Sequence, residues 1–167
     1  MQQREDKHWY IFRHGLATHS KNGYGDQILT AQVLPEGRPP IERLGVYMRV
    51  LPYEVGYRSH LLRCEKTAQI VTDATGNPFM PDARLNEQYQ ETFESVHDRV
   101  QAFVADANAS PHTYIWVCTH GVIIAALRHF ILDGQFWRSM ENNYTQPGEL
   151  LMIANGKDEV LNFREVV

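Results

Sequence analysis

Tyr10-Ile11-Phe12-Arg13-His14-Gly15-Leu16-Ala17-Thr18 is the stretch that decides how the rest of this sequence folds. An apolar run from Trp9 to Phe12 stops at a cation, an imidazole and a glycine. That order describes a buried strand whose carboxyl end delivers Arg13 and His14 into a crevice. Gly15 lets the backbone turn away there without steric cost. The idea returns downstream: Tyr114-Ile115-Trp116-Val117-Cys118 is apolar, and Thr119-His120-Gly121 follows. If these two strands are neighbours in a parallel sheet, both imidazoles arrive at one edge.

Between the two motifs the pattern alternates. Residues 16 to 40 are polar and rich in Gly and Pro, which predicts a long loop of the kind that carries function. A helix follows from near Pro40, with Ile41, Leu44, Tyr47, Met48 and Leu51 at helical spacing up to Pro52. Residues 53–59 are expected as a short strand. Leu61, Leu62, Ala68, Ile70 and Val71 populate a second helix, stopped by Thr75-Gly76-Asn77-Pro78. A third helix spans residues 91–107, with Phe93, Val96, Val100, Phe103 and Val104 along one face. After strand 113–118 comes an apolar helix from Val122 to about Leu132. Two strands, 149–154 and 160–166, flank an Asn155-Gly156 turn, the strongest short hairpin signal. Strands alternating with helices imply βαβ units. The fold expected is α/β, a three-layer α/β/α sandwich with a mostly parallel central sheet and an antiparallel edge. One domain over 1–167 is the simplest division, and no internal repeat breaks it.

Composition narrows the partners. The chain has 167 residues, 43% hydrophobic and 22% charged, as an ordinary globular chain does. A net charge of −4 gives no reason to expect nucleic acid or an anionic membrane. Any anion site must be a local cationic cluster. No leader-like apolar segment opens the chain, and no apolar run reaches the roughly 20 residues that span a bilayer. Cys64 and Cys118 suit a reducing compartment, so a cytoplasmic location is expected. Nothing in the sequence sets an oligomeric state.

Four groups can converge at the sheet rim: Arg13, His14, His120 and the arginine in Ser59-His60-Leu61-Leu62-Arg63-Cys64-Glu65-Lys66-Thr67. Guanidinium groups offer bidentate bonds to phosphate oxygens and keep their charge. A neutral imidazole is a competent nucleophile, its second nitrogen held by a carbonyl. One imidazole could take a phosphoryl group covalently while the other, protonated, steadies the oxygens. No phosphate-cradling glycine loop, two-metal carboxylate cluster or zinc spacing occurs, so neither metal nor cofactor is expected.

Arg13-His14-Gly15, the Ser59 to Ala68 segment and Thr119-His120-Gly121 resemble, in this order, the histidine phosphatase superfamily, also called phosphoglycerate-mutase-like. The resemblance runs nearly the full chain, including Glu91 to Val96 with Arg99 and Val100, and Phe136-Trp137-Arg138 with Asn142-Asn143. It implies that His14 is the phosphorylated nucleophile, and that Arg13, Arg63 and His120 complete the phosphate pocket; Ser59 and Gly121 are further substrate-binding candidates. Arg84-Leu85-Asn86-Glu87 looks like the mutase branch's motif around the general acid, which makes Glu87 the candidate acid. The sequence departs from the family pattern at Leu16 and Ser20, where many members carry polar residues, and at His60, which replaces a frequent Pro. It also lacks the long insertion after the acid that true mutases carry. A compact phosphatase is therefore expected, similar to the small phosphohistidine phosphatases of bacteria. It would be a phosphoric monoester hydrolase of the histidine acid phosphatase type, acting on a phosphorylated small molecule or a phosphoprotein. A phosphoglycerate mutase-type phosphotransferase and a catalytically weak phosphate-binding module are the competing expectations.

Plainer roles stand beside these. Arg63 could pair with Glu65 or Glu42 on a solvated helix. Ser59 could cap the helix near Leu61. His8, His19, His97, His112 and His129 suit surface or packing positions, and Lys21, Asn22 and Tyr24 could reach substrate from the long loop. Trp9, Trp116 and Trp137 read as core or edge packing, and both cysteines as small buried hydrophobes.

Overall fold

The computed structural model describes residues 7–17 and 28–164. His19, Ser20, Lys21, Asn22, Tyr24 and Val166 lie outside the described residues. Strands β1 (His8–Arg13), β2 (Val55–Arg58), β3 (Met80–Pro81), β4 (Tyr114–Thr119), β5 (Glu149–Ala154) and β6 (Lys157–Asn162) form one sheet, ordered β3-β2-β4-β1-β5-β6. The first four in that order run parallel; β5 and β6 add an antiparallel pair at one edge.

Helices α1 (Arg38–Met48) and α2 (Leu62–Thr75) cover one face, and α3 (Phe93–Ala109) and α4 (Gly121–Asp133) the other. The alternation along β1 sorts its side chains between them. Tyr10 and Phe12 join Ile41, Leu44, Met48, Cys64 and Val71, whereas Trp9 and Ile11 join Val100, Phe103, Ile123 and Leu127. Phe12 and Ile11 are fully buried, and each such side chain contributes about 1.5–3 kcal/mol. Both cysteines are free and buried.

Local signals explain the boundaries. Two prolines occupy the first turn of α1, where their missing N–H groups cost nothing. Thr92 caps α3, its hydroxyl accepting from Ser95 N at 3.1 Å, so that helix starts at Phe93 and not at Glu91. Gly76 and Gly134, both left-handed, end α2 and α4. The hairpin strand begins at Lys157, three residues earlier than 160. The Asn155-Gly156 turn pairs Ala154 with Lys157 directly, and an edge strand facing solvent needs no apolar residues to join the ladder. The two-residue β3 has no alternation from which to read it.

Chain direction reverses once. From β1 the chain moves through α1 and α2 toward β3; it then returns through α3 and α4 on the opposite face to β5. Neighbours β1 and β4 therefore send their following segments to opposite faces, which opens a crevice beyond their carboxyl ends. Arg13 lies level with Thr119 across that pair, so the two His-Gly turns leave the sheet side by side.

Candidate active site

His14 and His120 face each other with ring centroids 5.2 Å apart, and both are buried. Each arrives at the end of its strand: His14 N donates to Thr119 O at 3.1 Å, and His120 precedes the first turn of α4. Arg63, in the first turn of α2, is fully buried beside them and points Nε at His14 Nε2, 3.4 Å away. Its other nitrogens donate to Ile28 O and Glu87 Oε2. Thus Arg63 pairs with Glu87, not with Glu65 or Glu42. Arg13 sits over the Tyr144 ring at 5.3 Å, and its Nη1 reaches Gln146 Oε1 at 3.5 Å. Arg13, His14, Arg63, His120 and Glu87 are brought together at one rim.

Hydrogen-bond accounting fixes the imidazole tautomers. His14 Nδ1 lies 2.8 Å from Gly15 O, a carbonyl that can only accept. Nδ1 therefore carries the proton, and Nε2 keeps its lone pair, which accepts from Arg63 Nε. For His120 the constraint comes through two other residues. Asn86 Oδ1 accepts from His60 N at 2.8 Å, which orients the amide, and it also accepts the Ser59 hydroxyl proton at 3.0 Å. Ser59 Oγ accepts from Leu61 N at 3.1 Å. Its only proton being committed, Ser59 must also accept from His120 Nε2, 2.8 Å away. His120 Nδ1 is left unprotonated and buried without a hydrogen-bond partner, 3.5 Å from Glu87 Oε2.

Burial pushes both histidines well below the ordinary imidazole pKa, and the charges of Arg13 and Arg63 add to it. His14 further lowers His120. Burial and the neighbouring cations thus favour the neutral ring of His120. Only a partner carrying negative charge can reverse that preference.

Ser59 does not cap α2. The cap position is Leu61, without a side-chain bond, and the fully buried Ser59 hydroxyl is committed to Asn86 and His120. Gly121 is needed for closeness: a Cβ there would come within 2.8 Å of the Tyr144 ring. His60 is exposed, and Trp137, expected as packing, is 57% exposed. Leu16 lines a separate hollow with Gly37, Pro40 and Gln146.

Several contributors to the site are not evident from sequence reasoning. Thr67 accepts from Gly15 N at 2.9 Å and donates to Arg63 O at 2.7 Å, tying the first turn to α2. Its four-residue spacing from Arg63 puts both on one helical face, a signal the sequence does contain. Asn86 is adjacent to Glu87, and only the fold turns its amide toward Ser59. Tyr144 and Gln146, which flank Arg13, come from an irregular segment with no period to read.

Two neighbouring strand ends and the first turn of α2 bring two histidines and two arginines to one rim, an arrangement with the donors to hold a compact oxyanion. The model of the histidine phosphatase superfamily (branch 1) matches residues 9–90 and 87–159, and the chain belongs to that superfamily. No curated protein matches it by sequence. Among solved structures it is similar to a candidate α-ribazole-5′-P phosphatase from Escherichia coli K-12, at 18% identity and a TM-score of 0.82, over 95% of this chain and 98% of that one. Similar too are the phosphoglycerate mutase of Bacillus anthracis (15%, TM-score 0.72, 95% and 93%) and a mycobacterial glucosyl-3-phosphoglycerate phosphatase (17%, TM-score 0.71, 89% and 90%). These likenesses establish the fold. Among the described residues no helix is long and apolar enough to cross a membrane.

Proposed function

We propose that this chain is a phosphatase that hydrolyses phosphomonoesters, or phosphohistidine in a protein, through a phosphohistidine on His14 and without a metal. The observation that carries this is the unprotonated Nε2 of His14, fixed by Gly15 O and flanked by Arg63. A neutral, oriented imidazole beside two guanidinium groups has both the lone pair and the charge that phosphoryl transfer needs.

In this mechanism Arg13 and Arg63 hold the phosphate oxygens. His14 Nε2 attacks phosphorus in line as the ester P–O bond breaks, and Glu87, protonated from solvent once phosphate has displaced it from Arg63, gives that proton to the departing oxygen. Phosphate competes with Glu87 for the same Arg63 N–H, so seating the substrate frees the carboxyl group to face the leaving oxygen. His120 Nδ1 becomes a donor by taking the proton of the phosphate monoester monoanion, a transfer the phosphate charge favours, and returns it to the departing inorganic phosphate. In the second half, Glu87 takes a proton from water, the water oxygen attacks phosphorus, and the P–N bond breaks. Phosphate leaves, and His14 Nε2 regains its lone pair. The two buried free cysteines accord with a cytoplasmic setting.

Purified protein should release phosphate from p-nitrophenyl phosphate, be inhibited by vanadate and be indifferent to chelator. Failure to turn over p-nitrophenyl phosphate would discard the phosphatase in favour of a phosphate-binding module. Glu87→Gln should cost about 10²–10⁴-fold on an alkyl phosphate and far less on p-nitrophenyl phosphate, whose leaving group needs little protonation. Equal losses on both would remove Glu87 from the acid role.

A further inference from the structure

We infer that the leaving group of the preferred substrate is uncharged and carries a flat apolar ring next to the ester oxygen; this rests on the phosphatase reading above. Glu87 lines two spaces at once. On one side it meets Arg63 and His120; on the other it borders a hollow of about 280 Å³ shared with Leu29, Leu61, Asn86, Tyr89, Glu91 and Arg99. Because Glu87 borders both spaces, an alcohol leaving a phosphate held at Arg63 and His120 has this hollow beside it. Its volume lies near the lower end for small-molecule sites and suits one or two rings.

The lining sets the chemistry. Leu29 and Tyr89 are large, and 51% and 40% exposed, on the same hollow. Exposed apolar groups gathered at one concavity mark a surface that something covers. The turn bearing Tyr89 is held in a specific shape: Gln88 Nε2 donates to Glu91 O at 3.0 Å, and Gln90 takes a left-handed φ of 51°. A non-glycine residue in that region is strained, and such strain gathers at ligand clamps.

Charge excludes the alternatives. The cation lining the hollow, Arg99, is neutralised by Glu91 through Nε at 3.2 Å and Nη2 at 2.6 Å, and its Nη1 donates to Arg84 O. With Glu91 already paired to Arg99, a carboxylate or second phosphate on the leaving group would meet no uncommitted guanidinium among the described lining residues. A neutral ring meets the Tyr89 face and the Leu29 side chain instead.

Three primary-alcohol esters test this with matched leaving-group basicity: benzyl phosphate, glycerol 3-phosphate and 3-phosphoglycerate. Expected kcat/KM falls in that order, with benzyl phosphate at least tenfold above 3-phosphoglycerate. Tyr89→Ala should lower the benzyl value about tenfold and change the glycerol value less than twofold, while Tyr89→Phe restores the benzyl value. The inference is overturned if 3-phosphoglycerate equals benzyl phosphate, or if Tyr89→Ala lowers all three alike. Hydrolysis of none of the three by folded protein would overturn both the inference and the phosphatase reading beneath it.

Discussion

The two His-Gly turns look alike in sequence, yet they are built in opposite ways. His14 is held at Nδ1 by the carbonyl of the next residue and presents Nε2. His120 is held at Nε2 by a serine from another element and presents Nδ1. The first ring is oriented by its own backbone, so any fold that makes the turn fixes it. The second depends on the chain His60 N, Asn86, Ser59, gathered from two loops. A ring secured locally suits a nucleophile that must hold its aim through two half-reactions. A ring secured by a side-chain relay can shift a proton without moving its frame.

The sharpest way to break this comparison is to remove each ring in turn. His14→Ala should abolish turnover, a loss of at least 10³-fold, and no acid-labile phosphoryl label should be trapped on the protein. His120→Ala should lose about 10²–10³-fold and still trap label on His14. Label surviving in His14→Ala would reverse the assignment of the two roles.

Next comes the relay. Ser59→Ala deletes the acceptor that fixes His120 and should lower kcat about tenfold, near the 1–1.5 kcal/mol of one buried hydrogen bond, with His14 still labelled. Ser59→Thr keeps the hydroxyl and should recover most of the rate. Equal activity in Ser59→Ala would show that His120 needs no outside support.

The smallest effect is on stability. Both histidines have folded pKa values below their unfolded one, so the unfolded chain binds more protons at mildly acid pH. Their neutral forms support the fold fully above pH about 6.5, and that support fades as pH falls below it. The loss approaches about 1.4 kcal/mol per pH unit per histidine until the folded pKa is reached. Urea midpoints between pH 7.5 and 5 should fall steadily, and less so in His14→Gln. A midpoint flat across this range would mean that the rings are not buried neutral.

How far sequence alone reaches depends on how each feature is encoded. The parallel core strands and α1 to α4 carry apolar residues at regular intervals, because their burial demands it, and glycines and prolines mark their ends. Arg13, His14, Arg63 and His120 are legible because each sits at the edge of such a regular run. Ser59 is legible in place but not in role. Its hydroxyl looks like a helix cap in sequence, and only the meeting of α2, β4 and the Asn86 turn gives it a histidine to hold. Tyr144 and Gln146 lie in an irregular connection, and their partner Arg13 is distant along the chain. Nothing periodic could announce them. Leu29 and Tyr89 likewise become neighbours only once the fold exists.

The flank of Arg13 is the last part of this pocket to be made. Tyr144, Gln146 and the pairing of β5 against β1 all come from the final stretch of the chain. A ribosome that has translated both His-Gly turns therefore still holds a site without its Arg13 flank. Synthesis order alone delays completion of the site until that closing segment has emerged and docked.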